Sequence, residues 1–65
     1  MVLTVNGEAR EVGADRIEAL LDELGYEGVH LAVAVNRELV RRAAWSDVTL
    51  RDGDQIEVVT PRQGG

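Results

Sequence analysis

The chain has 65 residues, with 12 acidic against 7 basic side chains, a net charge of −5, no cysteine, no phenylalanine, one tyrosine and one tryptophan. A chain this short makes one domain with a small aliphatic core, near the lower limit for independent folding. The missing cysteine excludes a disulfide framework, a thiolate metal site and a thiol nucleophile, and the acidic balance with a single adjacent basic pair, Arg41-Arg42, argues against a nucleic-acid phosphate track.

Leu3 and Val5 alternate with Thr4 and Asn6, the period of a half-buried strand. Asn6-Gly7 is a two-residue hairpin signal, because a type I′ turn needs positive φ at both positions. Glu8 to Val12 then runs back antiparallel, and Gly13-Ala14 breaks the pattern. Asp15 stands as a helix N-cap with Glu18 three residues on, an acidic capping box. Ile17, Leu20, Leu21 and Leu24 form one apolar stripe and Gly25 ends it, which predicts a helix of roughly ten residues. So short a helix is stable only when its stripe packs on something, and the hairpin face carrying Leu3 and Val5 is the platform.

Val29 to Val35 reads as a strand after the connector Tyr26-Glu27-Gly28, with Val33 and Val35 on one face and Ala32 and Ala34 on the other. Asn36-Arg37-Glu38 reads as a turn, Leu39-Val40 as a short return strand, and Arg41 to Asp47 as an irregular crossover with Trp45 plugging one edge of the core. Val48 and Leu50 lead to the turn Asp52-Gly53-Asp54, and Gln55 to Val59 forms the final strand, with Ile56 and Val58 inward and Val59 outward. The order β-β-α-β-β-β predicts an α+β roll, a single sheet covered on one face by one helix. The expected core is Leu3, Val5, Ile17, Leu20, Leu21, Leu24, Val33, Val35, Leu50, Ile56 and Val58. By alternation Val2, Ala32, Ala34 and Val59 lie on the other face as an apolar patch near the tail, a candidate partner surface.

Residues 1–60 are read as the domain and 61–65 as a flexible tail. Pro61 has no N–H to extend a ladder, and Gly64 and Gly65 lack Cβ, so they form a thin backbone strand. Taken alone, this tail suits two readings equally: a frayed end, or a segment that threads a narrow tunnel and offers its carboxylate to another protein's active site.

Several stretches carry a resemblance when taken together. They are Val5-Asn6-Gly7-Glu8, Ile17-x-x-Leu20-Leu21-x-x-Leu24-Gly25, Val33-Ala34-Val35-Asn36, Val40-Arg41 with Trp45, Leu50-x-Asp52-Gly53-Asp54-x-Ile56-Glu57, and Gln63-Gly64-Gly65. In this order and spacing they resemble the ubiquitin-like β-grasp proteins, and more narrowly the ThiS family of bacterial sulfur carriers in thiamine biosynthesis, over essentially the whole chain. The resemblance implies a β-grasp roll, one mixed sheet of four to five strands packed on one helix. It also implies a carrier and not an enzyme. A ubiquitin-activating-like adenylyltransferase would use ATP to adenylate the Gly65 carboxylate, sulfur would replace one oxygen, and the thiocarboxylate would serve thiazole synthase. Gly64 and Gln63 would be its tail neighbours, with no cofactor bound to the chain itself. Arg62 stands where the family often has an apolar residue, which bears on how the tail docks, and Asp15 stands where threonine is common.

The residues agree with that chemistry on their own terms. A carboxylate is a poor electrophile and needs a leaving group, and the chain has no phosphate-cradling glycine loop with a lysine, so another protein must activate it. Two related classes stay open: a small-subunit carrier of the molybdopterin-synthase type, against which the length and Gln63 count, and a ubiquitin-like modifier or plain interaction module. All seven basic residues are arginine, so no side-chain amine here accepts an isopeptide bond. The longest apolar run, Leu31 to Val35, is far short of a membrane span and no signal segment is evident, so a soluble, cytoplasmic monomer is expected. Asp47, Asp52 and Asp54 read as turn residues and not a metal site, His30 as a strand residue and not a base, and Ser46 lacks a histidine to activate it. Trp45 reads as core packing ahead of a binding hot spot.

Overall fold

The structure is a computed structural model and describes residues 1–26 and 30–60. Five strands, β1 (Val2–Val5), β2 (Glu8–Glu11), β3 (Ala32–Val35), β4 (Glu38–Val40) and β5 (Gln55–Val59), form one sheet in the order β2-β1-β5-β3-β4. One helix, α1 (Ile17–Leu24), crosses between the two hairpins. β1 and β5 are parallel and every other pair is antiparallel, which makes the sheet mixed and sets the last strand at its centre. This is the α+β roll that the element order predicts, in the β-grasp arrangement that the resemblance implies.

Both hairpins close on two-residue turns with positive φ, Asn6 (50°) with Gly7 (85°) and Asn36 (51°) with Arg37 (70°). Such turns match the right-handed twist of the flanking strands. The second turn is therefore Asn36-Arg37 and not a three-residue Asn36-Arg37-Glu38: Glu38 already pairs with Val35, which lengthens β4 by one residue and fixes its register. β3 begins at Ala32 and not at Val29; Leu31 lies ahead of it, and Val29 falls outside the described residues.

The helix is eight residues, shorter than its sequence pattern suggests, and its N-cap is Arg16 with no side-chain hydrogen bond. The Asp15 cap is thus overturned, for a non-local reason. Arg16 is held in extended form by the returning chain: it bridges Thr49, and the Leu50 N–H donates to the Asp15 carbonyl at 2.8 Å. The Asp15 carboxylate instead meets the Arg16 guanidinium at 3.2 Å, an exposed pair of little energetic weight. The loop leading into α1 is tied from the other end of the helix, where the Glu23 carboxylate accepts the Gly13 and Ala14 N–H groups at 3.0–3.1 Å. At the C-terminus Gly25 takes φ 83°, its N–H reaching the Asp22 carbonyl and the Tyr26 N–H the Leu21 carbonyl. This crossed pair satisfies carbonyls the helix would otherwise leave open.

Leu3, Val5, Val12, Ile17, Leu20, Leu21, Val33, Trp45, Leu50, Ile56 and Val58 form one core between helix and sheet. Trp45 packs in the core as expected and Val12 joins it, whereas Leu24 and Val35 are only partly buried against it. Trp45 closes the core edge from a short 3₁₀ turn, Arg42–Ala44, that gives the crossover regular structure; its indole N–H donates to the Val40 carbonyl at 3.0 Å, and the Arg42 guanidinium lies 5.3 Å from its ring centroid. No helix among the described residues is long and apolar enough to cross a membrane.

Candidate functional site

β5 carries the chain toward Gly65, and the fold grips it from both sides. On the β3 side the ladder runs to the end of the strand, Val59 opposite Ala32 and Val58 opposite Val33. On the β1 side the strand pairing ends at Val5 opposite Ile56. Beyond that point the Asn6 side chain takes over: Oδ1 accepts the Val58 N–H at 2.9 Å, and Nδ2 donates to the Val58 carbonyl and to the Tyr26 hydroxyl, each at 3.3 Å. Asn36 does the same at the start of the strand, Oδ1 accepting the Gln55 N–H at 3.0 Å and Nδ2 donating to Asp54 Oδ1 at 3.1 Å. The turn chemistry that selects asparagine at positive φ thus also places an amide where a strand runs out.

Thr60 is half-buried at the end of this frame. Pro61, Arg62, Gln63, Gly64 and Gly65, which include the expected reacting residue and its tail neighbours, lie outside the described residues.

The outer face of the sheet carries the apolar residues expected there, with Val2 apart from the rest and Leu39 in addition. Val59 (58% exposed) and the exposed Ala32 are cross-strand partners, and the half-buried Ala34 pairs with Glu57 on one side and Leu39 on the other. Leu39 is 71% exposed, which makes it the most exposed large apolar side chain among the described residues. Its place beside Ala34 follows from the two-residue turn at Asn36-Arg37; a three-residue turn leaves the register of β4 open, and the residue escapes notice. Val2 is on the same face but at the other end. Thr4 stands opposite Gln55 and the Gly53 N–H donates to the Val2 carbonyl, so Val2 lies level with residue 53. That is about six residue steps, roughly 20 Å, from Val59. The apolar patch next to the end of β5 is Val59, Ala32, Ala34 and Leu39, without Val2.

The remaining candidates have structural partners or none of the geometry of a site. Asp52 Oδ1 accepts the Val2 N–H at 2.7 Å, and Asp54 Oδ2 accepts the Arg51 N–H at 2.9 Å across the Gly53 turn. Asp47 is exposed, and no His, Asp or Glu group among the described residues is arranged to hold a metal ion. His30 is exposed ahead of β3 and is not a strand residue, because β3 starts only at Ala32; Ser46 is exposed in the turn after the 3₁₀ segment.

Comparison with known proteins places this geometry in a lineage. The ThiS family model matches residues 3–65. The sulfur carrier protein ThiS of Thermus thermophilus is 39% identical over 61 residues, 94% of this chain and 95% of that protein, and the Escherichia coli protein of the same name is 30% identical over the full length of both. A thiazole synthase of Paramagnetospirillum magneticum is 41% identical over 66 residues; the alignment takes in all of this chain but only 20% of that longer protein. Among solved structures, the crystal structure of a thiamine biosynthesis protein (ThiS) from Geobacter metallireducens superposes with a TM-score of 0.84 at 35% identity, each chain fully covered. A full-length family match on a shared fold leaves one assignment: the chain belongs to the ThiS family.

Proposed function

We propose that this protein is a sulfur carrier for thiamine biosynthesis, a co-substrate whose reacting group is the Gly65 carboxylate. The observation that carries the reading is the family match running through residue 65, on a fold whose central strand leads to that end. The chemistry of the chain supports it. There is no cysteine to carry sulfur on a side chain, and no lysine-bearing phosphate loop to activate an acyl group. An adenylyltransferase of the ubiquitin-activating kind therefore binds ATP, and the carboxylate attacks the α-phosphorus with loss of pyrophosphate. Hydrosulfide, delivered by a sulfide donor, then attacks the acyl carbon and displaces AMP, leaving the carbon–sulfur bond of a thiocarboxylate.

Thiazole synthase is the acceptor in this reading. The support is the Paramagnetospirillum magneticum thiazole synthase, in which a segment similar to the whole of this chain is part of one polypeptide. The patch of Val59, Ala32, Ala34 and Leu39 at the end of β5 is the docking surface in this reading, with Arg62, three residues further along the sequence than Val59, as a polar contact. The experiment is ATP–pyrophosphate exchange with the adenylating partner. Exchange that depends on this chain, and is lost when Gly65 is removed, is the expected result; exchange unchanged without Gly65 excludes it as the adenylated residue.

A further inference from the structure

We propose that Asn6 is a tail-positioning residue, its side-chain amide standing in for the missing next residue of β1 and setting where the chain leaves the sheet toward the reacting carboxylate. The proposal rests on the carrier reading. Three observations carry it. The Asn6 amide makes both backbone hydrogen bonds of Val58 on the β1 side, N–H at 2.9 Å and carbonyl at 3.3 Å. Val58 is itself buried, so those backbone groups need partners. The same Nδ2 reaches the Tyr26 hydroxyl, tying the end of β5 to the segment just past α1 as well as to the first hairpin.

Val58 is only two residues before Thr60, where the described chain ends. Without the amide, Val58 to Thr60 keep their β3 ladder on one side and face the other unpaired. The root of the tail then samples more directions, and a partner that holds the tail must supply the lost order. Misplacement of about 1 Å at a reacting group already costs rate heavily. Asn36 supplies the control, because it binds the opposite end of the same strand with the same type of turn and side chain.

The test compares Asn6→Gly and Asn6→Asp with Asn36→Gly. Glycine keeps positive φ available in either turn, and aspartate keeps an acceptor for the Val58 N–H while losing the Nδ2 donor. Three readouts are taken: amide hydrogen exchange by NMR, thermal melting, and kcat/KM for partner-catalysed adenylation. Expected for Asn6→Gly is faster exchange at Val58 with Leu3 and Val33 still protected, and a loss in kcat/KM on the order of tenfold or more. Asn6→Asp should recover part of both, and Asn36→Gly should react at the wild-type rate. Unchanged kcat/KM in Asn6→Gly overturns the proposal, as does an equal loss in Asn36→Gly, which would assign the effect to the sheet. Failure of both Asn6 variants to fold overturns it too, since Asn6 would then be a fold residue. Wild-type protein that is not adenylated at all strikes at the carrier reading instead, and the exchange data separate the two.

Discussion

At the scale of single residues, backbone groups here are satisfied by side chains distant in sequence. Glu23 serves the Gly13 and Ala14 N–H groups, whereas Asp15, the residue best suited on paper to cap the helix, caps nothing. Glu23→Ala should therefore cost about 1 kcal/mol, the net worth of a hydrogen-bonded carboxylate partner. Asp15→Ala should stay within about 0.5 kcal/mol of the parent, as surface changes do. Paired urea melts check both, and a larger loss for Asp15→Ala would restore it as the cap. Arg37 holds φ 70° without being glycine, so Arg37→Gly should raise stability by roughly 0.5–1 kcal/mol by removing a strained left-handed residue; a lower melting temperature for that variant would contradict it. The asparagine that turns a hairpin was legible from Asn6-Gly7. That its amide also binds Val58 was not, because the partner lies 52 positions away.

At the scale of elements, periodicity carried most of the information. Ile17, Leu20 and Leu21 of the helix stripe, Leu3 with Val5, and Ile56 with Val58 are buried as the spacing requires, while Leu24 at the end of the stripe is only partly buried. What periodicity did not show is where elements stop, since those limits are set by neighbours: the Thr49–Leu50 return holds Arg16 extended and bonds the Asp15 carbonyl, and the Asn36-Arg37 turn decides which way Leu39 faces. Leu21→Ala should cost about 2–5 kcal/mol, the range for a truncated core leucine. Leu39→Ala should be nearly neutral to folding because its side chain is largely in solvent. A melt in which the two variants lose equal stability would refute this division of the faces.

At the scale of the whole molecule, one face of the sheet builds the core and the other is free to meet a partner. Only one end of that free face adjoins the outgoing chain. Val59→Asp and Leu39→Asp should leave the melt close to wild type yet raise KM for adenylation roughly five- to thirtyfold, equivalent to losing about 1–2 kcal/mol of interface contact. Val2→Asp, on the same face at the far end, should leave KM unchanged. Equal effects from all three would show that the face acts through its overall charge and not as a local docking patch.

The central claim is that the terminal glycine carboxylate carries the sulfur. The most direct test is intact-mass spectrometry of the protein after incubation with ATP, the adenylating partner and a sulfur donor. The wild-type chain should become heavier by the difference between one sulfur and one oxygen atom, with fragmentation placing the change on Gly65. Gly64→Val, which sets a β-branched side chain next to the reacting residue, and the chain lacking Gly65 should both melt like wild type and show little or no exchange. Sulfur found elsewhere on the chain, or exchange that persists after removal of both Gly64 and Gly65, would contradict the account.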